Sequence, residues 1–204
     1  MLELLDFRLY SGDTDLLRAE YFSLPAAAKY LLVGANGTGK TLLLQSICGE
    51  YRAWDGDITI KGEPAGDRKT ILLDMPLHLL PAETVWQNLL IPLPRPSERL
   101  KGRLVELSAI ASIADLLKRK AEYLSYSAGK FVELIRAVVQ LPHIILIDDI
   151  DHYFDDENLA KAMAICAHAA GAGSIVLATA SRPLPGFDVV HHISGGRLEA
   201  LDAQ

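Results

Sequence analysis

Eight consecutive residues, Gly34-Ala35-Asn36-Gly37-Thr38-Gly39-Lys40-Thr41, have the types and spacing from which chemistry can be argued first. They fit G-x-x-x-x-G-K-[ST], the pattern of a loop that wraps phosphate groups. Gly34, Gly37 and Gly39 open backbone conformations that a Cβ disfavours, so successive N–H groups can face one concavity. Lys40 can reach β- and γ-phosphates, and the Thr41 hydroxyl can ligate Mg²⁺. The implied ligand is a nucleoside triphosphate held with Mg²⁺. Such a loop needs a strand before it and a helix after it, and Tyr30-Leu31-Leu32-Val33 and Leu42-Leu43-Leu44 supply the apolar runs for both. The helix then adds its unpaired N–H groups and positive dipole end to the phosphate site.

A second constellation follows Ile144-Ile145-Leu146-Ile147, which ends in Asp148-Asp149. A carboxylate at the carboxyl end of a buried parallel strand lies on the edge where open α/β sheets bind ligands. Asp148 there can hold the Mg²⁺ shell, the Walker B role, and Asp149 is placed to activate a hydrolytic water. Asp149 also reads as ordinary surface acidity, with Asp151, Asp155 and Asp156 nearby. Lys40 and Asp149 are the expected catalytic side chains. The adjacent pair His191-His192 is no metal site, because neighbouring strand residues point to opposite faces.

The elements that must position these groups alternate in type. Strands are expected at 2–10, 18–23, before the phosphate loop, at 58–60, 70–73, 144–147, 174–179, 188–193 and 197–201. Trp54 to Asp57 reads as a turn, and Pro76 to Pro96 as a proline-punctuated stretch with a short helix around Thr84–Leu90. Helices are expected from Thr41 to near Gly49, over 99–119, from Phe131 to Gln140 after a polar interval Ser125–Lys130, and over 157–170. Strand–helix alternation predicts an α/β fold with a mainly parallel sheet, antiparallel strands at the N-terminus, and a helical subdomain inserted over about 80–135. One domain of 204 residues suits this length, and a hydrophobic half suits a sheet covered on both faces.

A net charge of -6 argues against general nucleic-acid binding. Cys48 and Cys166 stand far apart and outside any C-x-x-C pattern, as expected of buried thiols in a reducing compartment. Glu3 and Asp6 interrupt the first apolar stretch, so no signal peptide is expected, and no apolar run is long enough to cross a bilayer. The expectation is a cytoplasmic protein whose membrane role would need a partner.

Taken together, these motifs resemble the nucleotide-binding subunit of ATP-binding cassette (ABC) transporters, along essentially the whole chain. Gly34-Ala35-Asn36-Gly37 looks like the usual loop opening, and Gly195-Gly196-Arg197-Leu198 like the closing turn. Arg136-Ala137-Val138-Val139 with Pro142 resembles the helix ahead of Walker B, and His152-Tyr153-Phe154-Asp155 the D-loop. The resemblance implies ATP and Mg²⁺ as cofactors, Tyr10 as the adenine-stacking ring, and a homodimer or heterodimer of cassettes. It also implies an integral membrane permease as partner, docked on residues 77–93, where Trp86, Leu89 and Leu90 are the expected surface unless they belong to the core. The implied location is the cytoplasmic face of the inner membrane.

Departures from the family pattern cluster where the γ-phosphate is sensed or attacked. The Q-loop glutamine falls at Met75 and the switch histidine at Ala180, and the catalytic glutamate is Asp149. The signature is either Leu124 to Ala128, keeping the next helix whole, or Tyr126 to Lys130, shortening it. Positions that hold nucleotide and Mg²⁺ are kept, so binding with slow hydrolysis is expected. The rivals are a largely non-hydrolytic clamp or degenerate half of a heterodimer, and a P-loop kinase or GTPase, against which the absence of an N-K-x-D motif speaks.

Overall fold

The computed structural model describes residues 1–65, 70–93 and 95–200. In chain order the strands and helices are β1 (Leu2–Ser11), β2 (Thr14–Leu24), β3 (Ala28–Val33), α1 (Lys40–Cys48), β4 (Trp54–Ile60), β5 (Glu63–Pro64), β6 (Thr70–Leu73) and α2 (Val85–Leu90). There follow α3 (Glu98–Ile110), α4 (Tyr126–Val139), β7 (Ile144–Ile147), α5 (Asp156–Gly171), β8 (Ile175–Ala180), β9 (Val189–Ser194) and β10 (Arg197–Ala200).

All the described strands join one sheet in the order β5-β4-β1-β2-β10-β9-β3-β8-β7-β6. Neighbours among β9, β3, β8, β7 and β6 are parallel, while β1 pairs antiparallel with β2 and β4. The N-terminal block is continuous with the parallel part through β10, which meets β2 at Arg197 and Arg18.

Period-two alternation along the central strands sorts their side chains between two faces. Tyr30, Leu32, Ile144, Leu146, Ile175 and Leu177 pack with Leu43, Leu44 and Ile47 of α1 and with β1, β2 and β4. Leu31, Val33, Ile145, Ile147, Val176, Ala178 and Ala180 pack instead against α2, α3, α4 and α5. Both faces are covered, which is why these strands read as unbroken apolar runs. The predicted inserted helical segment shares the second cluster with the sheet.

Several expectations are corrected. Trp54 to Asp57 is strand rather than turn, because Trp54, Asp55 and Asp57 pair with Leu9, Arg8 and Leu5 of β1. The polar interval Ser125–Lys130 is the first part of α4, with the Ser125 hydroxyl accepting from the Ala128 N–H as its cap. The expected strand 197–201 is seen to Ala200, and residue 201 lies outside the described residues, as does residue 94 of the proline-punctuated stretch.

Of the expected docking residues Leu89 belongs to the core, while Trp86 and Leu90 are half-buried and keep part of their surface open. Leu89 is fully buried, and Trp86 and Leu90 pack against the helical cluster. Thr84 caps α2 with a reciprocal Gln87 contact, and the buried Asn88 amide holds both the N–H and the carbonyl of Leu80, so the helix faces inward. The exposed apolar residues nearby include Met75, Leu77, Leu80, Ile91, Tyr123 and Tyr126.

Candidate functional site

Between β3 and α1 the chain makes the predicted loop. Gly37 and Gly39 take positive φ values of 82° and 94°, conformations that favour glycine. Gly34 has a different reason: a Cβ there would come within 2.9 Å of Thr38 Oγ1 and 3.2 Å of Ile193 Cβ. No side chain caps α1 at Gly39, and no acidic residue stands in its first turn. Its first N–H groups therefore suit an anion.

Lys40, only 5% exposed, folds back over the loop and donates from Nζ to the carbonyl oxygens of Gly34 at 2.7 Å and Ala35 at 3.2 Å. Its ammonium is thus fixed above the turn. Next to it, Thr41 Oγ1 donates to Asp148 Oδ2 at 2.8 Å across 107 residues of sequence. Asp148 belongs to the row of Ile144 and Leu146, the face covered by α1, and its N–H donates to the Leu73 carbonyl at 2.9 Å. Strand parity thus brings the two candidate oxygen ligands together. An exposed hydroxyl beside a buried carboxylate is a hard, all-oxygen donor set, which fits Mg²⁺ bound through few protein ligands and several waters.

Burial raises the Asp148 carboxyl above the ordinary carboxylate range; hydrogen bonds from Thr41 and Thr179 oppose this, and the Asp149 charge adds to it. Thr179, which is not among the expected site residues, joins this candidate site. Fully buried on the same face, it donates from Oγ1 to Asp148 Oδ1 at 2.8 Å and accepts from the Asp149 N–H at 2.7 Å. It is the one hydroxyl in the run Ile175–Ala180, and that was the available signal.

Asp149 adopts φ 45° and ψ 56°, a left-handed conformation uncommon for a non-glycine residue. Such backbones collect at functional sites. Its position opens on a cavity of about 340 Å³ lined also by Asn36, Gly37, Gly39, Lys40 and Thr41, together with Ser11, Leu16 and Leu42. The cavity thus unites the loop with Asp149. Ser11 and Leu16 were missed because both fell outside the predicted strands.

Tyr10 does not line that cavity. Its hydroxyl donates to Asp55 Oδ2 at 2.5 Å, and the Arg8 guanidinium lies 5.3 Å from its ring centroid, covering one face. Ala180 is fully buried among the residues facing the helices, on the side of the sheet away from Asp148. Only its carbonyl serves the loop, accepting from the Gly34 N–H at 3.3 Å.

A family model described as "ABC transporter" matches residues 17–151, a span holding both the loop and Asp148-Asp149. The chain belongs to the ABC transporter family. The O-antigen export system ATP-binding protein of Myxococcus xanthus is 30% identical over 156 residues, 72% of this chain and 34% of that protein. The molybdate/tungstate import ATP-binding protein of Thermococcus kodakarensis is 30% identical over 141 residues, 65% of this chain and 43% of that one. The cassette thus spans less than half the length of either relative.

Among solved structures, a nucleotide-free ATP-binding cassette from an ABC transporter superposes with a TM-score of 0.79 at 20% identity, over 97% of this chain and 88% of that one. The cbiO1 protein of Clostridium perfringens, part of the transporter complex cbiONQ, gives 0.79 at 19% identity over 97% and 86%. These likenesses establish the cassette fold. Among the described residues of this chain, no helix is long and apolar enough to cross a membrane.

Proposed function

We propose that the chain is the ATP-binding subunit of an ABC-type transporter or membrane complex, coupling Mg²⁺-ATP binding and slow hydrolysis to a separate permease. The observation that carries this reading is the single cavity lined by Lys40, Thr41 and Asp149, with Thr41 also bonded to Asp148. Relatives named for export and for import both match, so the direction of transport stays outside the proposal. The exposed apolar residues Met75, Leu77, Leu80, Tyr123 and Tyr126, with the half-buried Trp86, make up the surface proposed to meet the permease. Location on the cytoplasmic face of the inner membrane follows from that partnership.

ATP should bind with Mg²⁺, and Lys40→Ala should lose that binding, because the cation facing the phosphates is removed. Isothermal titration in the presence and absence of Mg²⁺ reads this out. Equal ATP affinity in the parent and Lys40→Ala would refute the assignment.

A specific observation favours the second reading, a clamp or the less active half of a cassette heterodimer. The α4 N-terminus keeps Ser125 as its cap, which supports the Leu124 to Ala128 placement of the signature. Tyr126 then stands where the family has glycine, and its hydroxyl donates to the Met75 carbonyl at 2.5 Å. A bulky ring at that helix end disfavours a second nucleotide there. A homodimer would carry this defect at both sites, whereas a heterodimer would carry it at one.

A further inference from the structure

Lys130 is fully buried, a costly place for an ammonium group. Its neighbours explain how it is tolerated. Nζ donates to the carbonyl oxygens of Asp74 and Pro76, the latter at 2.8 Å, and to Glu133 Oε2 at 2.9 Å. The other Glu133 oxygen accepts the His78 N–H, and Arg136 Nη2 donates to the His78 carbonyl at 2.7 Å. Tyr126 adds its hydroxyl bond to Met75, and the absence of a side chain at Gly129 admits Leu77, whose Cδ atoms would lie 2.9 Å from an added Cβ.

These contacts come from residues 126, 129, 130, 133 and 136, the spacing of a single helical face. They hold one short segment, 74–78, which leaves β6 beside Asp148 and leads into the exposed apolar patch. Lys130 Nζ also lies 4.7 Å from the Tyr153 ring centroid and 5.5 Å from that of Tyr126. Tyr153 follows the short 3-10 turn Ile150–His152, which starts from Asp149. One ammonium therefore touches the connecting segment, α4 and the turn after Asp149.

We propose that Lys130 is a positioning residue: with Glu133 it locks segment 74–78 onto α4, so that the segment and the helix move as one piece. Any displacement of the β6 end beside Asp148 then carries α4 and the apolar patch with it. This goes beyond the proposed function, and its test needs neither nucleotide nor permease, so the two can fail separately.

The test is amide hydrogen exchange of His78, whose N–H donates to Glu133, referred to the slow amides of β8 in the same sample. Lys130→Met strands the buried Glu133 charge, so unstable protein is one foreseeable result. Lys130→Met with Glu133→Gln avoids this, since the carboxamide carries no charge and its oxygen can still accept the His78 N–H. In the double variant the His78 amide should exchange roughly 10–100-fold faster relative to β8, the loss expected when the bonds from a charged group to the segment's carbonyl oxygens are removed. A core-filling role alone would move segment and β8 together. Unchanged relative exchange in the double variant would overturn the proposal, whatever its melting temperature.

Discussion

Thr179→Val asks whether the site is held from behind as the geometry indicates. The substitution keeps the branched shape and removes one hydroxyl that is fully buried and makes two bonds, to Asp148 Oδ1 and from the Asp149 N–H. Losing a bond to a charged group costs about 1.5–3 kcal/mol, and stranding a buried donor about 1–3 kcal/mol. Because one hydroxyl serves both and the carboxylate keeps its bond to Thr41, a total of roughly 2–4 kcal/mol is expected. At about 2–4 °C per kcal/mol for a domain of this size, the melting temperature should fall by roughly 4–16 °C. The functional effect should be selective. Asp148 loses the partner that orients it, and partners behind a metal ligand are worth about 10–100-fold in metal affinity. Titrations should show the Mg²⁺-dependent enhancement of ATP binding reduced by that factor, with metal-free binding at the loop little changed. A melting temperature within about 1 °C of the parent, together with undiminished Mg²⁺ enhancement, would refute the argument.

Asp148→Asn should have the opposite effect on stability. The folded carboxyl titrates above its ordinary value of 3.8, so the native state holds the proton longer; stability from this group is full below that value and lost as pH rises through the folded one. Asparagine removes the loss, so scanning fluorimetry near pH 7.5 should show a higher melting temperature without nucleotide and no Mg²⁺ effect with it; a lower one would mean the carboxylate is net stabilising. His191 gives the reverse pH trend. Burial beside Phe22 and Tyr30 holds it below its ordinary 6.5, so the unfolded chain takes up the proton first, and stability is lost as pH falls from 6.5 through the folded value. His191→Phe should flatten that acid loss, and an unchanged pH profile would clear His191 of it. For hydrolysis, Asp149→Glu extends the carboxylate by about 1.5 Å into the cavity. Single-turnover rates should rise on the order of 10–100-fold. No gain would refute the idea that the shorter Asp149 carboxylate limits hydrolysis.

The phosphate loop was legible because its chemistry is local: glycines, cation and hydroxyl all fall within Gly34–Thr41, between two apolar runs. Asp148 was legible for a related reason, since a buried strand that ends in a carboxylate states its own edge. Thr179 and Ala180 mark where local reading stopped. The two are adjacent, and the family resemblance singles out Ala180, yet alternation turns Thr179 toward α1 with Asp148 and turns Ala180 into the helical core. Counting the strand's parity from Ile175 would have separated them. It would also have warned that histidine at 180 must displace packed neighbours, an overpacking that costs about 1–3 kcal/mol.

The start of α4 failed for a different reason. Ser125, Tyr126, Ser127, Gly129 and Lys130 look like a polar loop when each is judged by its own preference. One of those preferences is met by a local cap and two by contacts that reach other segments. The Ser125 hydroxyl becomes the cap, the bare Gly129 admits Leu77, and Lys130 is neutralised by Glu133 and by carbonyl oxygens more than fifty residues away. Those last partners are invisible to a window of any helical length. The same contacts explain why Trp86 could not be placed from sequence. Whether an apolar residue among prolines is surface or core depends on where segment 74–78 lies, and α4 fixes that position. Once the segment is tied down through Lys130, Arg136 and Tyr126, α2 turns Val85 and Leu89 inward, and Met75, Leu77 and Leu80 are left outside. The exposed patch and the buried ammonium are thus consequences of one packing choice, and moving either requires moving both.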